Sequence, residues 1–184
     1  MTDPEHALAT GERGQLLTLL ERSRERYVAA LDSVSEETAR SRLDDADWSI
    51  LQCAEHVATA EGLMLRSWEK LAAPGQTERA KDQAVHDSAR DRQRKAQAPE
   101  RARPTGRFST LAEARQKFLT NRQATLDRVL QETELREKVV PHPLAGMLDG
   151  YQLFLLMALH AERHAEQIEE IAGRLVARNA QAAG

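Results

Sequence analysis

Apolar residues recur at three- and four-residue intervals in four separate stretches of this chain, while runs that alternate with period two are scarce. That spacing marks one face of an α-helix, so each stretch must bury its stripe against another. The first runs over about 4–32, through Leu16, Leu19, Leu20, Tyr27, Ala30 and Leu31. The second, 49–73, opens on a capping box, Ser49 with Gln52, and Pro74-Gly75 stops it. The third, 110–133, opens on a second box, Thr110 with Glu113, and carries Leu111, Phe118, Leu126, Val129 and Leu130. The fourth, 149–177, carries Tyr151, Phe154, Met157, Ile168, Ile171 and Leu175, with a frayed tail over 178–184. The expected fold class is all-α: a four-helix bundle in one domain spanning 1–184.

Composition agrees. Aromatic residues make up only 4% and strong helix formers are abundant, so strands have little to form from. Hydrophobic residues at 41% and charged residues at 30% are those of a globular chain. A net charge of −3 implies no general attraction to nucleic acid or anionic membrane, so neither is an expected partner. The longest apolar stretch, 153–159, is too short to span a bilayer, and 1–10 has no apolar core of the signal-peptide kind. The expected location is the cytoplasm. One cysteine, Cys53, excludes an internal disulfide.

The connections are uneven. A polar crossover, 74–108, has almost no large apolar side chain; its middle, 81–97, fits a solvated helix and its end looks irregular. It is the expected site of easiest local opening. A connection of this length can cross the bundle, so the second and third helices need not be antiparallel neighbours. Before the fourth helix, Val139-Val140-Pro141-His142-Pro143-Leu144 must be extended, because each proline pushes its predecessor out of the α region.

The chemistry centres on His160-Ala-Glu-Arg-His164. Two His at i, i+4 share a helix face and can reach one metal ion. The stripe Leu153, Met157, His160, His164, Ile168, Ile171 turns that face inward. There, two imidazoles repel if charged and lack partners if neutral; a shared ion removes both problems. His56, on the core-lining second helix, is the candidate third ligand. The pattern is no zincin, since Ala161 stands where the Glu of H-E-x-x-H belongs, and no di-iron pair of Glu-x-x-His motifs stands on the fourth helix. Cys53 lies one turn before His56 and reads as a small core residue; Trp48 and Trp68 read as core anchors.

These residues resemble a family. Asp47-Trp-Ser-Ile-Leu-Gln-Cys-Ala-Glu-His56 is similar to the entry to helix two in the DinB-like superfamily. His142-Pro-Leu-Ala-Gly and Leu159-His160-Ala-Glu-Arg-His164-Ala-Glu-Gln-Ile168 resemble its helix-four signature, and Pro104-Thr-Gly-Arg-Phe resembles the DinB_2 branch. The resemblance implies a bundle with a long crossover between helices two and three. It implies a divalent metal, zinc or alternatively nickel, on His56, His160 and His164. It also implies activities like those of bacillithiol or mycothiol S-transferases, a mycothiol-dependent maleylpyruvate isomerase, or YfiT-like proteins read as hydrolases, and a homodimer. His142 matches a position near the family's site.

The expected function is therefore a metal-dependent enzyme acting on a small-molecule substrate. Transfer of a low-molecular-weight thiol is favoured and hydrolysis comes next. The competing expectation is a non-catalytic, stress-response metal-binding bundle. What separates them is an acid/base group beside the open coordination position, for which His142, Glu61, Arg163 and Glu55 are the candidates.

Overall fold

The structure, a computed structural model, describes residues 8–9, 11–45, 47–91 and 97–182. Four long helices form the bundle: α1 (Glu12–Asp32), α3 (Ile50–Leu71), α5 (Leu111–Gln131) and α6 (Gly150–Ala182). Shorter α2 (Glu36–Arg40) lies between α1 and α3, and α4 (Ala80–Arg90) lies in the crossover. A small antiparallel sheet joins β1 (Ala73–Pro74) to β2 (Lys138–His142), and β2 to β3 (Gly146–Asp149). Among the described residues no helix is long and apolar enough to cross a membrane.

Both capping boxes form. Ser49 Oγ accepts from Gln52 N at 3.2 Å while Gln52 Oε1 accepts from Ser49 N at 3.0 Å, and Thr110 and Glu113 repeat the exchange. They set where α3 and α5 begin. The start of α5 gains a further anchor, because the Glu36 carboxylate accepts from Leu111 N and Ala112 N. There it meets the positive end of the helix dipole. The first helix differs from expectation: it starts at Glu12, after Gly11 at φ 92°. Residues 1–7 and 10 lie outside the described residues. At the other end α6 continues helical through 178–182, where a frayed tail was expected; Arg178 donates from there to the Arg42 carbonyl.

Side-chain pairs between helices give the direction of each. Ala58 meets Asn121, Glu61 meets Arg122, and Glu69 meets Arg128, so α3 and α5 run parallel. Arg22 with Glu162 and Arg26 with Glu169 make α1 and α6 parallel as well. Arg13 reaches the Glu132 carbonyl and Asp32 reaches Arg115, so α1 and α5 are antiparallel. In chain order the bundle is up, down, down, up. The crossover between α3 and α5 has to return the chain along the whole bundle, which is why it is long.

The described part of that crossover is docked rather than solvated; residues 92–96 of the helix expected over 81–97 lie outside the described residues. Val85 and Ala89 of α4 and Ala102 of the following 3-10 turn are buried. Its polar residues are anchored too. Arg136, 3% exposed, pairs with Asp82 of α4 at 2.7 Å, with Glu12 of α1 at 2.8 Å and with Asp149 of β3 at 3.1 Å. These carboxylates raise the Arg136 pKa against its own burial, and its guanidinium lies 3.9 Å from the Tyr151 ring centroid. Composition hides this docking because charge pairs, not large apolar side chains, make it. The proline-bounded segment is extended as expected and pairs as a hairpin, with Val140 opposite Leu148 and both fully buried.

At the centre of the bundle Arg122 and Glu61 pair through two oxygens at 2.6 and 3.0 Å, at 0% and 1% side-chain exposure. Removing one member leaves an uncompensated buried charge. Arg122→Ala should therefore cost about 3–5 kcal/mol, read as a drop in the urea-unfolding free energy. The double change Glu61→Met with Arg122→Met should be far milder than either single change. Equal losses in single and double variants would mean that the pair contributes through packing alone.

Candidate metal centre

The second turn of α3 and the middle of α6 bring His56, His160 and His164 together. His56 Nε2 lies 3.2 Å from His160 Nε2, and His164 Nε2 lies 3.2 Å from His160 Nε2. All three ligand atoms fall within 4.8 Å of one another, and no other His, Cys, Asp or Glu group among the described residues converges in this way. A tetrahedral zinc with Zn–N of about 2.0–2.1 Å separates its ligand nitrogens by about 3.3 Å. Two of the three edges thus match a shared ion.

Local contacts aim the rings. His56 Nδ1 donates to the Ala102 carbonyl at 2.8 Å, so its Nε2 carries the lone pair and points it at the other two. The Trp48 indole lies against the same ring, centroids 5.2 Å apart. His160 Nδ1 is buried without a hydrogen-bond partner. Protonation is no remedy for the convergence. Burial first, then the charges of His164, His56, Arg163 and His142, hold His160 well below the usual histidine range. Burial likewise lowers His56, against the opposing pull of the Ala102 carbonyl. Three imidazole nitrogens that converge in this way, two of them on rings that resist protons, suit a cation. The residues fit a divalent ion.

The candidates for acid/base work separate. Glu61 is committed to the buried pair with Arg122, also accepts from Thr125 Oγ1, and stands in the core rather than in the site. Glu55 points away as well: its carboxylate accepts from the amides of Thr105 and Gly106 and from Arg107, and these bonds lower its pKa against burial. The Arg163 guanidinium donates to the Ala89 and Asp91 carbonyls at the end of α4. Its charge bears on His160, but its hydrogens close a helix end. Glu162 faces Arg22 and Arg90. His142 sits at the hairpin tip with its charge opposing that of His160.

Cys53 is fully buried among Tyr27, Ile50 and Phe118, and burial, aided by Asp47, pushes its thiol up to about 12. It is a core residue and no ligand. Trp48 packs on the core as expected and also faces a site histidine, and the orienting carbonyl of Ala102 was not foreseen. A main-chain oxygen leaves no mark in sequence.

With this geometry in place, the sequence matches the DinB_2 family, described as the DinB superfamily, over residues 19–168. The chain belongs to the DinB superfamily. No curated protein matches it in sequence. Among solved structures this DinB chain is similar to YfiT from Bacillus subtilis, described as a probable metal-dependent hydrolase with an unusual four-helix bundle topology. Identity is 13%, coverage 95% of this chain and 93% of that one, and the TM-score 0.59. It is also similar to TT2238, described as a four-helix bundle protein, with 20% identity, coverage of 86% and 98%, and a TM-score of 0.48. The likeness to YfiT concerns the fold alone.

The lowered histidines give a pH signature to protein stripped of metal. Above about pH 6.5 these rings are neutral folded or unfolded. Below it the unfolded chain takes up protons that the folded site refuses, so stability falls as pH drops from about 6.5 towards 5.5. His160→Gln should flatten that loss, read as urea midpoints across the window. An unchanged slope would place the proton uptake elsewhere.

Proposed function

We propose that His56, His160 and His164 hold one divalent ion, zinc with nickel as the alternative, and that the chain is a metal-dependent enzyme acting on a small molecule. The convergence of three imidazoles within 4.8 Å, with two Nε2–Nε2 separations of 3.2 Å, carries this reading. Imidazole suits zinc and nickel alike. An ion on three neutral ligands keeps its full charge and an open position, and lowers the pKa of a water or thiol there to near neutrality (~7 for water on zinc). Around it the chain supplies orientation. Ala102 holds His56 in one tautomer, and Trp48 backs the same ring.

Transfer of a low-molecular-weight thiol to an electrophile is the first reading, supported by membership of the superfamily and by the preference of borderline-soft zinc for sulfur. Hydrolysis through water at the same position is the second, and the description given to YfiT favours it.

Elemental analysis of protein purified without a nickel column should find about one divalent ion per chain, the number one three-histidine site holds. His160→Ala and His164→Ala should each abolish stoichiometric binding and leave the helical circular-dichroism signal near that of the wild type. Full occupancy in the double variant would overturn the assignment.

A second measurement separates the two reactions. In cobalt-substituted protein, added dithiothreitol should produce a sulfur-to-metal charge-transfer band, and thiol transfer should outpace that of free thiol at the same pH. His56→Ala should remove both effects. A cobalt spectrum indifferent to thiol, with hydrolysis of activated esters, would select the hydrolase; neither activity would leave a metal-binding bundle without catalysis.

A further inference from the structure

The hairpin tip fixes the protonation pattern of His142. β2 ends at His142 and β3 begins at Gly146, whose φ of 69° folds the chain back. In the turn between them the amides of Leu144 and Ala145 both donate to His142 Nδ1, at 3.3 and 3.2 Å. A nitrogen that accepts bears no proton, so the proton of the neutral ring is on Nε2. A second proton on Nδ1 would face two N–H groups, and burial independently disfavours the charged ring. The ring is thereby locked as an N–H donor rather than a base. It lies near enough to His160 for their charges to oppose, yet it is outside the convergent group of ligand atoms. Glu55, Glu61, Glu162 and Arg163 are all engaged elsewhere, so among the acid/base candidates of the described residues His142 is the one whose ring nitrogens have their roles fixed by the main chain.

We propose that His142 Nε2–H is a catalytic hydrogen-bond donor to a substrate oxygen that gains negative charge, so that the electrophile is a carbonyl compound such as an ester or an unsaturated carbonyl. This rests on the metal-enzyme reading above. The nucleophile, water or a thiol, forms its bond to the electrophilic carbon while the π pair moves onto oxygen, and Nε2–H donates to that oxygen without losing its proton. With an ester the pair returns, the bond to the alcohol breaks, and the alcohol takes the proton that the nucleophile gave up. With an unsaturated carbonyl the same proton ends on the α-carbon. A neutral imidazole suits this role, because a fixed N–H is worth most where charge appears only in the transition state.

The test compares His142→Phe with His142→Gln, whose amide N–H reaches about the same point as Nε2–H. Zinc-loaded protein would be assayed on 4-nitrophenyl acetate, on an acrylate ester with dithiothreitol, and on benzyl chloride with dithiothreitol, whose leaving halide carries the charge. His142→Phe should keep its zinc, lose about 10²-fold in kcat on whichever carbonyl substrate the wild type turns over, change KM little, and leave any reaction with the halide untouched. His142→Gln should recover most of the loss. Independently of turnover, long-range 1H–15N spectra of the metal-free wild type should show the His142 proton on Nε2. A proton on Nδ1, equal loss on the halide, no recovery by Gln, or loss of zinc in His142→Phe would overturn the role. A wild type inactive on all three substrates would overturn the enzymatic reading and this inference with it; an active one undiminished by His142→Phe would overturn the inference alone.

Discussion

Arg122 stands in the middle of α5 and bonds to each of the other three long helices. It donates to the Leu20 carbonyl and Ser23 hydroxyl of α1, to both oxygens of Glu61 on α3, and to the Met157 carbonyl of α6. A buried ion pair adds little net stability, because desolvating two charges offsets their attraction. What it gives here is registry. An apolar stripe can slide by a turn on its neighbour with modest loss, but a guanidinium with partners on three helices has one position in which all are satisfied.

This polar layer divides the core. On one side lie Leu20, Ala60, Met64, Leu126, Val129 and Met157, and on the other Tyr27, Cys53, Ala54, Val57, Phe118 and Ala165. The boundary crosses α6 next to His160. The three convergent histidines therefore stand where α3 and α6 are held in fixed register, and the spacing between side chains on two helices depends on register. Close approach of the parallel pair has its own requirement: a Cβ at Gly62 would come within 2.9 Å of the Asn121 amide nitrogen, which donates to the Ala58 carbonyl.

Much of this was legible in the sequence, wherever the signal was local. Capping boxes at Ser49 and Thr110 located two helix starts, and His160 with His164 on an apolar stripe marked the centre. Partnership across the chain was not legible. Glu61 looked like an acid/base candidate because nothing local says that Arg122, also on an apolar stripe, is its counterion; two opposite charges on inward faces were the available signal. The crossover looked solvated because Asp82 shows no link to Arg136 in the chain. Pro141 and Pro143 foretold extension, but the strand that Val139 pairs with, at Ala73, is set by the end of α3.

The bond from His56 to the Ala102 carbonyl also bears on the order in which the molecule is completed. Ala102 lies at the far end of the crossover, and His160 comes still later in the chain. Closing four helices does not by itself aim His56; the ring takes its direction only when the returning segment is seated. Contacts between residues so distant in sequence form slowly, since loop-closure entropy must be met before they contribute. The geometry of the centre is thus complete only once the crossover is seated, and an ion held as proposed by all three nitrogens would distinguish a finished chain from one that has merely collapsed.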